Sequence, residues 1–214
     1  APNLTVKENL ELMCGIHKFS RGKTEQKISE YYKSLGLSAV SGKRAGKLSG
    51  GWQRRLSIAM ALISEPEVLF LDEPTLGLDV IARSELWDII RSLKGKITVI
   101  LTTHYMEEAA DADYVVILDK GKIAAEGTPL QLKNKYTGDF ITLYGVNEET
   151  VKGLGAPYEP LRDAFRVAVP NTAAATELII KYPEVFSDYE ITKGKMDDVF
   201  LAVTGKKLTG GEQK

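Results

Sequence analysis

An unbroken apolar run at residues 68–71 ends in two carboxylates and a proline, Asp72, Glu73 and Pro74. This pattern constrains the fold more than any other part of the chain, because a short apolar run is typical of a parallel strand covered on both faces. In open α/β sheets, ligands bind beyond the carboxyl ends of the strands. We therefore expect an α/β fold in which the two acids lie at a functional edge of the sheet.

A second apolar run, at residues 97–101, follows a segment of helical periodicity and leads to His104. A strand–helix–strand connection within one sheet is right-handed, so both strands end at the same edge. His104 is therefore expected to lie close to Asp72 and Glu73. A lone histidine usually serves packing, but one that ends a strand beside two acids is a candidate functional residue.

The stretch at residues 48–53 reads Leu-Ser-Gly-Gly-Trp-Gln and precedes apolar residues at helical spacing. Ser49 is predicted to cap the first N–H groups of that helix with its hydroxyl. Gly50 and Gly51 leave the first turn bare, so a phosphate can approach the N–H groups and the positive end of the helix dipole. Alone the pattern is more typical of a capped turn, but the acidic strand end that follows favours an anion site.

The composition limits the classes of partner. The 28 basic and 29 acidic residues give no excess positive charge that would favour nucleic acid. The single cysteine, Cys14, excludes an internal disulfide and suits a reducing compartment. No apolar run approaches the roughly 18 residues of a membrane helix, and no signal peptide is recognisable. If the protein acts at a membrane, we therefore expect it to dock to a separate polypeptide or segment.

In order and spacing, these stretches resemble the nucleotide-binding subunit of ATP-binding cassette (ABC) transporters. Residues 48–53 resemble the signature motif, residues 68–73 the Walker B strand and residues 75–79 the D-loop, while His104 resembles the switch histidine. The resemblance is close over about residues 2–135 and looser beyond. It implies a partial P-loop NTPase (RecA-like) parallel sheet with the family's helical subdomain and a small C-terminal α/β appendix.

Four regions are expected on this basis. They are a partial helical subdomain (1–47), the signature helix with the catalytic subdomain (48–136), the C-terminal α/β appendix (137–205) and a disordered tail (206–214). Helices are predicted at 6–19 and 25–35, a hairpin at 114–118 and 122–125, and appendix strands at 140–144, 165–169 and 185–191. The end of the appendix is similar to the tail of prokaryotic drug-export and ion-export subunits of the family.

The resemblance starts after the family's Q-loop and includes no Walker A phosphate loop. The only Gly-Lys followed by a hydroxyl residue is Gly22-Lys23-Thr24. It does not match the loop, because His17 stands where a glycine is required and no buried strand precedes it. We read these residues as the turn and cap before the next helix. The chain is therefore expected to be a fragment that does not hydrolyse ATP on its own.

A metal site at Cys14 and His17 is not expected. The two residues are one helical turn apart, but no third or fourth ligand is nearby in the sequence. The more economical interpretation is an ordinary helix surface.

The resemblance implies ATP and Mg²⁺ as cofactors of the intact protein. Asp72 would hold Mg²⁺ through water, and Glu73 would act as the general base on the attacking water. His104 would contact the γ-phosphate and stabilise its charge.

The resemblance also implies a dimer of nucleotide-binding subunits, with a homodimer expected. Residues of the signature motif and D-loop would act across its interface, namely Ser49, Gly50, Gly51, Gln53 and Asp79. A transmembrane permease subunit would be the second partner, placing the protein peripherally on the cytoplasmic face of the plasma membrane. No nucleic-acid partner is expected.

Two other classes of function remain open at this stage. The ATPase head of a chromosome-maintenance protein shares the signature and Walker B motifs, but sustained heptads would be needed to support it. A non-catalytic regulatory or binding module fits a chain without a Walker A loop. Nucleotide titration would separate these alternatives.

Overall fold

The computed structural model describes residues 1–205. They form two compact units, one from Ala1 to His104 and the other from Tyr105 onward. This division coincides with neither residue 47 nor residue 136, and the subdomain boundaries expected there remain predictions. The predicted disordered tail at 206–214 lies outside the described residues.

The first unit combines helices with a pair of parallel strands. Its elements are α1 (Val6–Ile16), α2 (Arg21–Ser34), α3 (Gly50–Leu62), β1 (Val68–Asp72), α4 (Val80–Leu93) and β2 (Thr98–Thr102). Short 3-10 helices at Leu37–Val40 and Ala45–Lys47 connect α2 to α3. The register of β1 and β2 runs from Val68 opposite Thr98 to Asp72 opposite Thr102. Both strands therefore end at one edge.

The start of α1 follows from local capping chemistry. The Glu8 N–H donates to Thr5 Oγ1 at 3.2 Å, and the Thr5 N–H donates to Glu8 Oε2 at 2.7 Å. This reciprocal pair is a capping box, which satisfies N–H groups that the first helical turn leaves without an acceptor. The predicted end at residue 19 is wrong, because the chain turns at Lys18 with φ of 54° and the helix stops at Ile16.

The predicted start of α2 at residue 25 is also wrong. Ser20 is the N-cap, and its hydroxyl accepts a hydrogen bond from the Lys23 N–H at 3.4 Å. Gly22, Lys23 and Thr24 therefore lie in the first helical turn instead of forming a loop before it. A good N-cap offsets the low helix propensity of one glycine, since both effects are worth about 1 kcal/mol.

Strands β1 and β2 are covered on one face only, which corrects the expectation of burial on both. Leu69 is 5% exposed and belongs to the main core, with Leu71 and Val99 packed against it. On the opposite face Phe70 is 72% exposed and Ile100 is 48% exposed. The difference arises because successive side chains alternate between faces, and the core helices contact only one of them.

The second unit begins with a short helix and a hairpin. Its elements are α5 (Met106–Ala109), β3 (Val115–Asp119), β4 (Lys122–Gly127), α6 (Pro129–Tyr136), β5 (Asp139–Tyr144), α7 (Glu148–Gly153), β6 (Tyr158–Pro160), β7 (Ala164–Val169), α8 (Thr172–Lys181), β8 (Tyr189–Lys193) and α9 (Met196–Thr204). The predicted hairpin is confirmed as antiparallel β3 and β4. Its turn has φ of 49° at Lys120 and 74° at Gly121, and two positive values in succession are typical of a two-residue type I′ turn.

Strands β5 to β8 form an antiparallel sheet in the order β6-β7-β5-β8. With α7 between β5 and β6, and α8 between β7 and β8, the chain follows the βαββαβ path of ferredoxin-like folds. Ile141 and Val167 are fully buried in a core that includes Val151 of α7 and Ala175 of α8. This part of the chain therefore has a core of its own.

The strand predicted at 185–191 begins later than expected. Val185 and Phe186 lie before β8 and are buried in the core of the βαββαβ region. Their apolar character reflects burial of the loop that precedes the strand. Periodicity alone does not distinguish a buried loop from a buried strand.

Helix α9 is tied to the sheet through Arg166 of β7. The Arg166 guanidinium pairs with Asp198 of α9 at 3.2 Å and with Glu159 of β6 at 3.1 Å. It also lies 3.6 Å from the ring centroid of Phe140 on β5. One arginine thus joins two neighbouring strands and the last helix.

Candidate functional site

The ends of β1 and β2 bring an acid, a threonine and a second acid into one hydrogen-bonded group. Thr102 Oγ1 donates to Asp72 Oδ1 at 2.5 Å. The Glu73 N–H donates to the same Thr102 oxygen at 3.0 Å. The strand register explains this arrangement, because Asp72 and Thr102 are directly opposite each other. Thr102 was not among the predicted site residues, and only the register reveals it.

His104 lies beside the second acid of this group. Its Nδ1 is 3.5 Å from Glu73 Oε1. The side chain of His104 is 53% exposed and that of Glu73 is 40% exposed, so both are open to solvent. The structure thus brings His104 and the acidic strand end together, as the crossover argument predicts. We call Asp72, Glu73, Thr102 and His104 the strand-end site.

The backbone at Glu73 is unusual for a glutamate. Its φ is +41°, in the left-handed region that costs a non-glycine residue roughly 1–2 kcal/mol. Lys18, Glu65 and Lys120 share this region, but Glu73 alone among the four belongs to the strand-end site. Left-handed residues that persist at a candidate site suggest that a side-chain direction is being held for a purpose.

The donor set fits a cation bound jointly with phosphate. Within residues 1–205 no group of three or more His, Cys, Asp or Glu side chains is arranged to hold a metal ion by itself. Mg²⁺ in nucleotide sites is usually held by one or two carboxylates together with phosphate oxygens and waters. The Asp72 carboxylate at the open strand end meets that requirement.

The predicted cap at the start of α3 is corrected by the structure. Ser49 is the N-cap residue, with φ of −65° and ψ of 161°, but its side chain makes no capping hydrogen bond. The Gln53 N–H donates to the Ser49 carbonyl at 3.0 Å and forms the first bond of the helix. The hydroxyl of Ser49 therefore does not satisfy the first N–H groups, which have no acceptor within the helix.

The two signature glycines have a packing role that the sequence did not reveal. A Cβ atom on Gly51 would lie 3.1 Å from the Cβ of Ala82 on α4, and one on Gly50 would lie 3.4 Å from Leu78 Cδ2. The first contact is tighter than side chains normally tolerate. Glycine at position 51 therefore allows the starts of α3 and α4 to approach each other.

A shallow pocket of about 260 Å³ lies where the signature motif meets the D-loop. It is lined by Gly50, Gln53, Arg54, Ser57, Leu76, Gly77 and Leu78. Arg54 was not predicted as a site residue. Helical spacing could have identified it, because positions 50, 54 and 57 share one face of α3.

Gln53 and Asp79 hold local structure next to this pocket. Gln53 Nε2 donates to the carbonyl of Leu48 at 3.0 Å and to that of Ala45 at 3.3 Å, which fixes the loop before α3. Asp79 is the N-cap of α4, and its Oδ1 accepts from the Ala82 N–H at 2.9 Å. Both residues therefore shape the pocket, whatever contacts they make with a ligand.

Cys14 belongs to the core and not to a helix surface, which corrects the interpretation made from the sequence. It is 0% exposed, and burial raises the pKa of its thiol. No metal-binding cluster includes Cys14 or His17 among the described residues. The cysteine is explained by packing.

Comparison with known proteins identifies the family. The family model described as "ABC transporter" matches residues 1–76, and a model of an AAA domain matches residues 44–109. Both matched segments include residues 48–53, and the first ends just after Glu73.

The relatives cover most of the chain. The daunorubicin resistance ATP-binding protein DrrA3 of Streptomyces coeruleorubidus is 35% identical, over 93% of this chain and 67% of its own length. Nod factor export ATP-binding protein I of Rhizobium etli is 34% identical, over 97% of this chain and 67% of its own length.

A solved structure shows the same fold. CbiO1 of Clostridium perfringens, part of the ABC transporter complex cbiONQ, matches with a TM-score of 0.58 and 26% identity, over 62% of this chain and 54% of that chain. This chain thus spans about half the length of the matched structure and about two thirds of the two curated relatives. The fold is that of P-loop ABC ATPases, and the chain belongs to the family of ABC transporter ATP-binding proteins.

Proposed function

We propose that this chain carries the hydrolytic strand-end site and the signature motif of an ABC transporter ATPase that powers export. The observation that supports this most directly is the strand-end site, in which Thr102 joins Asp72 to the backbone of Glu73 and His104 lies 3.5 Å from the Glu73 carboxylate. At one open edge of a sheet, the first acid can bind a metal ion, the second can act as a base, and the histidine can stabilise charge.

Glu73 is proposed as the general base. Its carboxylate is partly open to solvent, so a water molecule can reach it, and its position beyond β1 follows from the left-handed backbone. A base acts by accepting a proton from the attacking water, and a positioned base contributes roughly 10²–10⁴-fold to a rate. His104 is proposed to contact the γ-phosphate and stabilise the charge that develops there.

Asp72 is proposed as the residue that holds Mg²⁺ through water. The Thr102 hydroxyl donates to Asp72 Oδ1 and so restricts how the carboxylate turns. When bound, Mg²⁺ neutralises charge on the phosphates. We therefore propose ATP with Mg²⁺ as the cofactor of the complete site.

The signature motif is proposed to act on nucleotide held by a second copy of the protein. Ser49 does not cap α3, so its hydroxyl is not used in that role. The glycines that follow keep the first turn of a 13-residue helix bare, which suits an anion. In a homodimer, Gln53 is proposed to support this surface from the pocket between the signature motif and the D-loop, and Asp79 from the start of α4.

Export, and a transmembrane permease as the second partner, are proposed by extension from the relatives. The Rhizobium etli relative is named for Nod factor export, and the Streptomyces relative for daunorubicin resistance. No helix within residues 1–205 is long and apolar enough to cross a bilayer. We propose that the protein works on the cytoplasmic face of the plasma membrane, against a permease.

The chromosome-maintenance alternative receives no support from the helices. That class requires long heptad-bearing arms, whereas α1 has 11 residues and α2 has 14. The two relatives are named as ATP-binding proteins of daunorubicin resistance and of Nod factor export.

The test of the proposed function is Glu73→Gln in the full-length protein. We expect ATP binding to be retained and hydrolysis to fall by about 10²-fold or more, because the substitution removes the base and keeps the shape. Glu67→Gln, an exposed change just before the same strand, is the matched control and should leave turnover unchanged. Near-normal hydrolysis in the Glu73 variant would remove this residue from the proposed role.

A further inference from the structure

The two edges of the βαββαβ sheet differ in how well they are protected. One edge strand, β6, has three residues and ends in Pro160, which has no N–H to offer a neighbour. Short edge strands and edge prolines are common ways of preventing one sheet from pairing with another. The opposite edge strand, β8, has five residues and no proline. The β8 edge is therefore protected neither by a very short strand nor by a proline.

The hydrogen bonds that flank β8 show which of its backbone groups face outward. The Asp188 carbonyl accepts from the Tyr144 N–H at 3.1 Å, and the Gly194 N–H donates to the Gly138 carbonyl at 3.1 Å. Backbone groups alternate along an antiparallel strand, so the even-numbered residues of β8 face β5. The N–H and C=O groups of Tyr189, Ile191 and Lys193 therefore face away from β5, and no strand within residues 1–205 pairs with them.

We propose that two copies of this chain join through β8, antiparallel and with a two-fold axis at Ile191, to form one continuous sheet. This axis places Ile191 opposite Ile191 of the second copy as a hydrogen-bonded pair, because its N–H and C=O groups both face outward. Tyr189 and Lys193 then face each other across the axis in the same way. The proposed contact is independent of nucleotide and of the signature motif.

The side chains of β8 suit pairing with a second copy. On the helix side of the sheet, the Tyr189 ring would face the Lys193 ammonium of the other chain, which is a favourable cation–aromatic pair. On the other side, Glu190 would face Thr192. No like charges are directly opposite in this register.

Other two-fold registers pair the residues of β8 less favourably. An axis at Glu190 places two glutamates directly opposite each other, which is destabilising. An axis at Thr192 leaves Tyr189 without a partner within β8. The register centred on Ile191 is the one that pairs all five residues of the strand.

The residues at the two ends of β8 are already held in place. Lys193 Nζ lies 3.3 Å from the Asp139 carboxylate, and the Tyr189 ring packs edge-on to Phe186 at a centroid distance of 5.6 Å. Groups that are ordered before association lose less freedom on binding, which strengthens the contact.

The first test is the mass of the chain in solution without nucleotide, measured by light scattering during gel filtration. We expect a dimer at tens of micromolar. Ile191→Pro should weaken it by about tenfold or more, because the substitution removes an N–H from each chain at the axis. That N–H faces away from β5, so the fold should persist, and circular dichroism checks this. Ile180→Ser, which removes a 74% exposed side chain on α8, is the control and should leave the dimer intact.

The second test is cross-linking in a Cys14→Ala background. Ile191→Cys places two thiols on a hydrogen-bonded pair whose Cα atoms lie about 5.5 Å apart, within reach of a disulfide. Thr192→Cys places them on residues that are not opposite, so its chains should cross-link poorly. A monomeric wild-type chain, a dimer indifferent to Ile191→Pro, or equal cross-linking of the two variants would each overturn the proposal.

Discussion

The Thr102 hydroxyl donates a hydrogen bond to Asp72 across the ends of two parallel strands, at 2.5 Å. The same oxygen accepts from the Glu73 N–H at 3.0 Å. One threonine therefore sets the direction of the first acid through its side chain and that of the second through its backbone. This makes Thr102 a positioning residue for both acids.

Thr102→Val should lower ATP turnover of the full-length protein by about tenfold or more, because it removes two hydrogen bonds, one of them to a charged group. The Mg²⁺ concentration needed for half-maximal activity should rise, since Asp72 is no longer restrained. Thr102→Ser keeps the hydroxyl and should restore most of both properties. Thr98→Val, at the exposed start of β2, is the control. Equal loss in the Ser and Val variants would contradict the hydroxyl's role.

Gly51→Ala should leave the protein about 1–2 kcal/mol less stable than Gly50→Ala, because both gain similar helix propensity but only the Cβ at position 51 would lie 3.1 Å from Ala82 Cβ, and overpacking has costs of this order. Gly50→Ala should be milder, since its nearest contact is 3.4 Å from the end of the Leu78 side chain. Urea unfolding measures both. If the two alanine variants unfold alike yet both lose ATPase activity, the glycines are needed for ligand approach and not for packing.

Alkaline pH should weaken the fold through Tyr31. This residue is 5% exposed, its hydroxyl donates to the Leu62 carbonyl at 2.8 Å, and burial raises the pKa of its phenol. The folded state favours the neutral phenol. Its contribution to the free energy of unfolding is therefore complete below the unfolded pKa of about 10 and is lost as the pH rises through the folded pKa.

Unfolding in urea at pH 8 and near pH 11 measures this effect. Tyr31→Phe should be less stable than wild type at pH 8, because the hydrogen bond to Leu62 is gone. The difference between the two proteins should shrink near pH 11. Tyr114→Phe changes a tyrosine that is 56% exposed and should show no such convergence.

The chain of residues 1–214 should bind ATP only weakly by itself. Its sequence contains no Gly-x-x-x-x-Gly-Lys-Ser/Thr pattern, the loop whose backbone cradles phosphates. Calorimetry is expected to show no micromolar affinity, and a phosphate-release assay no turnover. Micromolar binding by this chain would mean that another segment supplies the cradle.

Local patterns in the sequence were sufficient for several elements. The hairpin around Lys120 depends on residues a few positions apart and is present as predicted. The Thr5–Glu8 capping box likewise joins residues three positions apart. The meeting of His104 with Glu73 followed from a general rule of chain handedness. The first two features thus depend on residues close together in the sequence, and the third depends only on the order of strand, helix and strand.

The rest depended on which parts of the chain meet in space. The bond from Thr102 to Asp72 requires the register of β1 and β2, and the exposure of Phe70 requires knowing which face the core helices cover. The start of α2 at Arg21 was missed, because the gain from a cap at Ser20 and the cost of a glycine in the first turn are both only about 1 kcal/mol. None of these can be read from periodicity alone.

Because Glu73 has a left-handed backbone and is also the proposed base, thermal stability and ATP turnover favour different residues at this position. Glycine at this position would relieve the conformational strain of roughly 1–2 kcal/mol and would remove the proposed base. Laboratory evolution of this protein for survival at high temperature, with no demand for ATP hydrolysis, is therefore expected to replace Glu73 early. Selection for hydrolysis should keep the glutamate and gather its stabilising substitutions elsewhere in the chain.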